Sequence, residues 1–272
     1  MKLFAALFIL VCGLMAQSAH AQSQEDDPPE ANPGRPTVST PATLTPAGYL
    51  QFESGFTGAA NSPQFSSRYS FNEVMKLSVI KRLELVASAE PIVHSAADGT
   101  TGNSAGEVFV GAQGVLYRGE NARPTLAVSY FHRAYDGPAP EFDFGSPTNS
   151  FLVLGSGDIK GFHYDTNAFF TELVQGPVRR AQFGQSLSIS HAFFRSFTVA
   201  GEIWHFTQPF LRSNALGNLW AVSYTARKNL VFDGGFNHGL TSTSTQWEVF
   251  TGFTYVLPQR LWGTHGSSPT HR

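Results

Sequence analysis

Thiols, charge and long apolar runs are all scarce in this chain, and each scarcity removes a class of function. The one cysteine, Cys12, lies in the opening segment, so the rest of the chain has no thiol for a disulfide, a thiolate metal site or a cysteine nucleophile. Charged residues make up 14% of the chain and the formal net charge is −2, with a mean hydropathy of −0.12. The basic residues are scattered over turns and loops and form no patch, which argues against nucleic acid as a partner. No later stretch is apolar over the roughly 20 residues a membrane helix needs. No apolar repeat of 3.6 residues is long enough to suggest a helix either. What the chain does have is aromatic surface: Phe, Tyr and Trp account for 13% of residues, an unusual share beside so little charge for a soluble protein.

The opening reads Met1, Lys2, an apolar run from Leu3 to Met15, then Ala19-His20-Ala21, the basic start, short apolar middle and small-residue cleavage site of a secretory signal. Residues 1–21 are therefore expected to be a signal peptide cleaved near Ala21, which makes the protein an exported one. Val11 stands before Cys12 where a lipoprotein would want a small residue. Residues 22–47 hold six prolines and an acidic cluster at Glu25, Asp26 and Asp27. That composition predicts a disordered, extended periplasmic lead-in.

From Tyr49 onward the chain becomes short runs of alternating polarity separated by Gly, Ser, Pro and Asn, the strand-and-turn signature. Twelve strands are expected, near 48–57, 66–80, 83–93, 105–117, 124–134, 148–155, 161–172, 182–191, 197–206, 217–226, 230–239 and 245–257. The connections after even strands are short, as at Lys81-Arg82, and those after odd strands are mostly longer, the longest from Tyr135 to Thr148. Short turns at one rim and long loops at the other suit an outer-membrane barrel, and an even strand count returns both termini to the periplasmic side.

Side-chain parity supports this. Leu50, Phe52 and Phe56 alternate with Gln51, Glu53 and Gly55; Leu230, Phe232 and Phe236 alternate with Asp233 and Asn237; Trp247, Val249, Phe253 and Tyr255 alternate with Glu248 and Thr254. A charge on the lipid face costs about 2–4 kcal/mol for Lys or Arg at the midplane and less for a carboxylate. Charges should therefore keep to the other parity. Strand two breaks the rule, because Glu73 shares a face with Met75, Leu77 and Val79; a bulge, a rim position or a shifted register is expected there. The polar parity is rich in Gly, Ser, Thr, Asn and Gln, which fits a narrow lumen better than a soluble surface. The fold expected is thus all-β, a single antiparallel transmembrane β-barrel of twelve strands over 48–257, with a polar C-terminal tail at 258–272.

Three stretches carry a family resemblance: Arg35-Pro36 with Thr43-Leu44 and Gly48 to Gly55, the hairpin Lys76 to Leu85, and Leu230 to Thr241 with its Asp-x-Gly-x-Asn-x-Gly-Leu pattern. From about Arg35 to Leu257 the chain resembles the outer-membrane transporter-like family named for the meta-pathway of phenol degradation. The resemblance implies an outer-membrane barrel that moves small hydrophobic or aromatic compounds. Two features depart from the pattern. The chain runs on past Tyr255 and Leu257 to Trp262 and a polar tail ending in His271 and Arg272, so any aromatic assembly signal is expected to be internal, and strand four carries Gln113 where related strands often present an inward Lys.

The lumen-lining candidates are Glu53, Arg68, Lys76, Glu84, Glu107, Gln113, Asp165, Asn167, Glu202, Asp233, Asn237 and Glu248. Carboxylates outnumber bases among them. Two readings fit: an internal network holding Arg68 and Lys76 between carboxylates, or a polar constriction that sets solute or cation preference. The nine histidines include no pair at metal-binding spacing, so no metal, cofactor or catalytic residue is assigned. A lipid hydrolase would need an outward His beside an outward Ser; His132 and His205 have that parity, but no distinctive Ser motif stands near either. Tyr49, Tyr69, Tyr130, Tyr164, Trp220, Trp247 and Tyr255 are candidates for aromatic belts. The expected function is a passive, porin-like channel or uptake protein for small solutes in the bacterial outer membrane, with a non-transporting structural or surface barrel as the alternative. Its expected partners are outer-membrane lipid, the barrel-assembly machinery and an unidentified small solute.

Overall fold

The computed structural model describes residues 29–120, 122–142 and 146–262. The expected signal peptide and its cleavage near Ala21 lie outside the described residues, as do the tail beyond Trp262 and its His265 and His271. Thirteen strands form one antiparallel sheet: β1 (Leu50–Ala60), β2 (Ser67–Ile80), β3 (Leu83–Ala97), β4 (Thr100–Ser104), β5 (Val108–Tyr117), β6 (Thr125–Tyr135), β7 (Ser146–Ile159), β8 (Phe162–Gln175), β9 (Val178–Phe194), β10 (Phe197–Gln208), β11 (Ser213–Arg227), β12 (Leu230–Gly239) and β13 (Trp247–Val256). β1 pairs with both β13 and β2, and β2 with β3, so the sheet closes on itself. Twelve strands form the wall. The thirteenth, β4, pairs among the described residues only with the upper end of β3 and extends that hairpin beyond the rim.

Closure removes the sheet edge, so each backbone ladder is satisfied within the wall. The rim carrying both ends of the barrel also carries the tight turns Lys81-Arg82, Lys160-Gly161, Arg195-Ser196 and Lys228-Asn229. At Lys160-Gly161 both residues have positive φ, 53° and 85°, the mirror-type turn whose twist matches that of the strands it joins. The strands run further than the alternation suggested: β7 continues to Ile159 and β9 begins at Val178. The connection between β8 and β9 is consequently only Gly176-Pro177, the shortest between two wall strands on the long-loop rim.

The two faces separate as parity predicts. Phe56, Leu85, Tyr130, Trp220, Phe236 and Val249 stand exposed on the outer wall, while Gln51, Glu53, Lys76, Glu84, Gln113, Asn167 and Asp233 are buried inside. Glu73 remains on the outer face. It sits opposite Ser54, whose hydroxyl donates to it at 2.8 Å. The irregularity lies instead in β3, where the register slips between the partners of Phe71 and Glu73. Pro91 falls in that slip, and a proline, having no N–H to give a ladder, suits a bulge.

The lead-in differs most from expectation. Its described part, residues 29–47, is neither disordered nor outside the barrel: Ser39, Ala42 and Thr45 are 0%, 0% and 2% exposed. This strap enters beside the Lys228 turn, where the Ala31 amide donates to the Lys228 carbonyl at 2.8 Å, arcs through the lower half of the lumen and leaves at Gly48. Ala42 and Leu44 pack against Val115, Ala127, Leu152 and Leu154 of the inner wall. The stretch stays ordered because the wall supplies the partners a proline-rich backbone cannot give itself. The chain after β13 closes the same mouth: Leu261 N–H reaches the Gly48 carbonyl at 2.8 Å and Trp262 Nε1 donates to Val79 O at 3.1 Å.

Candidate functional site

The inward carboxylates are the cradle of the strap. Glu53 accepts from Gly34 N–H at 2.9 Å and from the Gln51 amide at 2.8 Å, and it pairs with Lys76 Nζ at 2.5 Å. Glu202 accepts from the Val38 and Ser39 amides, each at 2.7 Å, and from the Ser39 hydroxyl at 2.6 Å. Glu84 accepts from Thr45 N–H at 2.9 Å and from the Ser78 hydroxyl at 2.8 Å. Each is a charge-assisted bond in a poorly solvated interior, which makes it about twice as strong as its neutral counterpart.

Arg35 is the strap's one cationic anchor among its described residues. Its guanidinium lies over Gly55 and Gly252, which pair directly across β1 and β13, and ends on Asp233 at 3.2 Å. A Cβ at either glycine would collide with the guanidinium. The Asp-x-Gly-x-Asn-x-Gly-Leu stretch thus has a structural role at its first residue. It has another at Asn237, which accepts from Trp204 Nε1 and donates to Glu248, both at 2.8 Å.

The remaining candidates complete the lower wall. Gln113 donates to the Pro41 carbonyl at 2.9 Å and accepts from Ser129 at 3.1 Å. In the amide orientation that satisfies both its groups, Asn167 meets the N–H and the carbonyl of Thr40. Ser156 accepts from Ala42 N–H at 2.7 Å and donates to Asp165. His163 lies between Asp158 and Asp165, at 3.0 and 3.3 Å.

Two arginines organise the opposite mouth. Arg68 pairs with Glu90, donates to the Pro140 carbonyl at 3.0 Å and lies 4.6 Å from the centre of the Phe142 ring. Arg133 pairs with Glu107 at 2.8 Å, Asp136 at 3.1 Å and Glu141 at 3.6 Å. Together they draw the 136–142 loop over the opening. Glu107 lies just ahead of β5, outside the strand it was expected to join. Burial pushes its carboxyl up to about 7 despite the bond from Arg133, and the nearby Glu141 and Glu90 charges push the same way. Of the two inward bases expected among carboxylates, Lys76 pairs with Glu53 and Arg68 with Glu90, a residue outside the candidate set. Arg35, Glu90 and Arg133 are lumen residues that the candidate set did not contain.

The sequence reading also missed the inward aromatics. Phe131, Phe169, Trp204, Phe206 and Phe250 have inward parity in the upper half of the barrel. Each stands directly opposite a glycine on the next strand: Phe131 opposite Gly111, Phe169 and Phe206 opposite Gly184, Trp204 opposite Gly217 and Phe250 opposite Gly235. A ring opposite a residue without a side chain can lie flat along the wall, covering the bare backbone and keeping out of the central space. Phe206 meets Phe169 and Trp204 at centroid distances of 5.1 and 5.9 Å. Phe131, Phe169, Phe206 and Phe250 remain partly exposed. Since they face inward, that exposure is to the lumen above the strap.

Such a barrel, with a polar lower lumen and short turns at one rim, has known counterparts. An outer-membrane channel from Pseudomonas putida F1 superposes with a TM-score of 0.60 at 12% identity, covering 84% of this chain and all of that one. The architecture is that of solved outer-membrane channels. The NanC porin matches with a TM-score of 0.51 at 10% identity, over 77% of this chain and 99% of its own. The KdgM porin, solved with disordered oligogalacturonate, also gives 0.51, at 11% identity, over 76% and 98%. No family model and no curated protein matches the sequence.

The outer wall carries histidine–asparagine pairs near the long-loop rim: His132 with Asn149 at 2.9 Å and His205 with Asn214 at 3.2 Å. Neither imidazole has a serine among its hydrogen-bond partners in the described residues, so the outward Ser–His arrangement a lipid hydrolase needs is not assembled at either.

Proposed function

We propose that this protein is an outer-membrane channel through which small solutes diffuse, hydrophobic and aromatic compounds among them, with the N-terminal strap narrowing its periplasmic half. The observation that carries this reading is the set of inward rings laid over cross-strand glycines, which gives the upper lumen an aromatic, partly exposed lining. Aromatic solutes stack on such faces at offset or edge-on geometries, each contact adding about 0.5–1.5 kcal/mol. An apolar outer wall suits the lipid, and the resemblance to the phenol meta-pathway family points toward the same solute class.

A second reading keeps the barrel closed, as a structural or surface protein; the density of bonds between strap and carboxylates favours it. Flux from vesicles separates the two. With purified protein reconstituted in liposomes, phenylalanine efflux should exceed that of glucose, and Trp204→Ala with Phe206→Ala should lower the phenylalanine rate alone. Equal efflux of the two solutes, unaffected by the substitutions, would remove the aromatic selectivity, and no efflux of either would favour the closed barrel.

A further inference from the structure

On the outer wall, where β6 to β9 approach the long-loop rim, a groove of about 400 Å³ opens outward. Its floor is apolar, made by Phe151, Phe170 and Phe183, the last two edge to face at 5.6 Å. Its roof is polar, made by Tyr130, Asn149, Glu172 and Arg179. Because the β8–β9 connection is only Gly176-Pro177, no long loop rises from these two strands to cover it.

The roof is wired in a particular sense. Glu172 accepts from Thr148 and Asn149, both at 2.7 Å, and from Arg179 at 2.9 Å. The Asn149 side-chain oxygen, Oδ1, accepts from the Tyr130 hydroxyl at 2.8 Å and faces His132 Nδ1 at 2.9 Å. The acceptors are thus engaged inside the network. The donor it turns outward is the Arg179 guanidinium, whose side chain is 69% exposed and gives one N–H to Glu172. Below it lie the three aromatic rings of the floor.

We infer that this groove binds a phosphorylated lipid of the outer leaflet, its phosphate on Arg179 and an acyl chain along Phe151, Phe170 and Phe183. Glu172 balances the charge of Arg179, so the recognition of an anion falls to the guanidinium N–H groups left over from that pair; the three rings suit a chain, and their order along the wall matches the order of headgroup and acyl region at a membrane surface. Guanidinium suits phosphate because it offers two parallel N–H bonds. The inference rests on the outer-membrane placement proposed above but not on transport.

Bis-phosphorylated lipid A in phosphatidylcholine nanodiscs is the probe, with lipid retained after detergent exchange measured by native mass spectrometry. The sample is wild-type protein already shown to be inserted by its heat-modifiable mobility, so a failure of the placement appears before the binding result. Arg179→Gln should reduce retention about tenfold, the loss of roughly one charge-assisted contact, while Arg179→Lys keeps most of it and Phe170→Ala weakens it independently. Enzymatically dephosphorylated lipid should be retained no better than by Arg179→Gln, and millimolar inorganic phosphate should not displace the intact lipid. Equal retention by Arg179→Gln, equal retention of the dephosphorylated lipid, or displacement by inorganic phosphate alone would each overturn the assignment.

Discussion

Replacing Glu202 by Gln should release the strap. In the native chain the carboxylate takes two amide hydrogens and one hydroxyl hydrogen from Val38 and Ser39 at 2.6–2.7 Å. A glutamine keeps one acceptor oxygen and turns an NH₂ toward at least one of those donors, so one bond is lost and the others fall from charge-assisted to neutral. With charge-assisted bonds taken at the low end of about 1.5–3 kcal/mol and neutral ones near 1 kcal/mol, the strap loses at least about 2.5 kcal/mol of hold. That is roughly a hundredfold in the ratio of released to seated strap. Planar-bilayer recording of single channels reads this as a rise in the time spent in the larger conductance. The converse variant pairs Ser39→Cys with Ser186→Cys, whose hydroxyl oxygens are 2.8 Å apart, in a chain whose native cysteine is confined to the opening segment. Oxidation should hold the small conductance and reduction should relieve it. Identical conductance and open time in native, Glu202→Gln, oxidised and reduced channels would refute the claim that the strap narrows the path.

Other perturbations test neighbouring parts of the argument. Gly217→Ala places a methyl against the Trp204 ring; the ring must swing into the lumen, lowering conductance and costing about 1–3 kcal/mol of stability in denaturant titrations, and no change in either would mean the ring has room to spare. Gly55→Ala should displace the Arg35 guanidinium and reproduce the Glu202→Gln phenotype with Asp233 intact. Glu107, raised to about 7 from 4.5 by burial, holds its proton more tightly folded than unfolded. Its contribution therefore favours the folded state below about pH 4.5 and is lost as pH rises through about 7; Glu107→Gln should flatten that slope of stability against pH, and an unchanged slope would count against the assignment. Glu73→Leu, which removes an outward carboxyl from the wall, should stabilise the barrel in lipid vesicles by about 1 kcal/mol, whereas destabilisation would place that face away from hydrocarbon.

Most of the wall could be read in advance because alternating polarity is a local property of each strand. Leu50 to Phe56 and Leu230 to Asn237 declare their faces without reference to any neighbour. β4 escaped although Asp98-Gly99 is a strong hairpin signal, since the flanking Thr-Thr-Gly-Asn-Ser has no apolar face to reveal a strand. Arg179 and Arg180 likewise hid the start of β9, their charges reading as loop. The inward aromatics were illegible for a different reason. Phe131 or Phe206 breaks the parity rule when its strand is read alone, and becomes intelligible only when register places a glycine opposite. The strap was least visible of all, since its bonds come from backbone amides to residues far along the chain, which leave no periodic mark. The excess of inward carboxylates over bases was its one trace. Those acids lacked cations because several of their partners were peptide N–H groups.

The route of the strap also constrains how the molecule can be put together. Residues 34–45, ahead of every described strand, find their partners on β3, β8, β10 and β12, so a stretch made before the wall must wait for some of its last strands. Once β1 and β13 have zipped, that stretch is enclosed on every side by wall. The seam is therefore expected to shut around a segment already lying between its two edges, and a delay in shutting it would leave a chain that is threaded but unlocked.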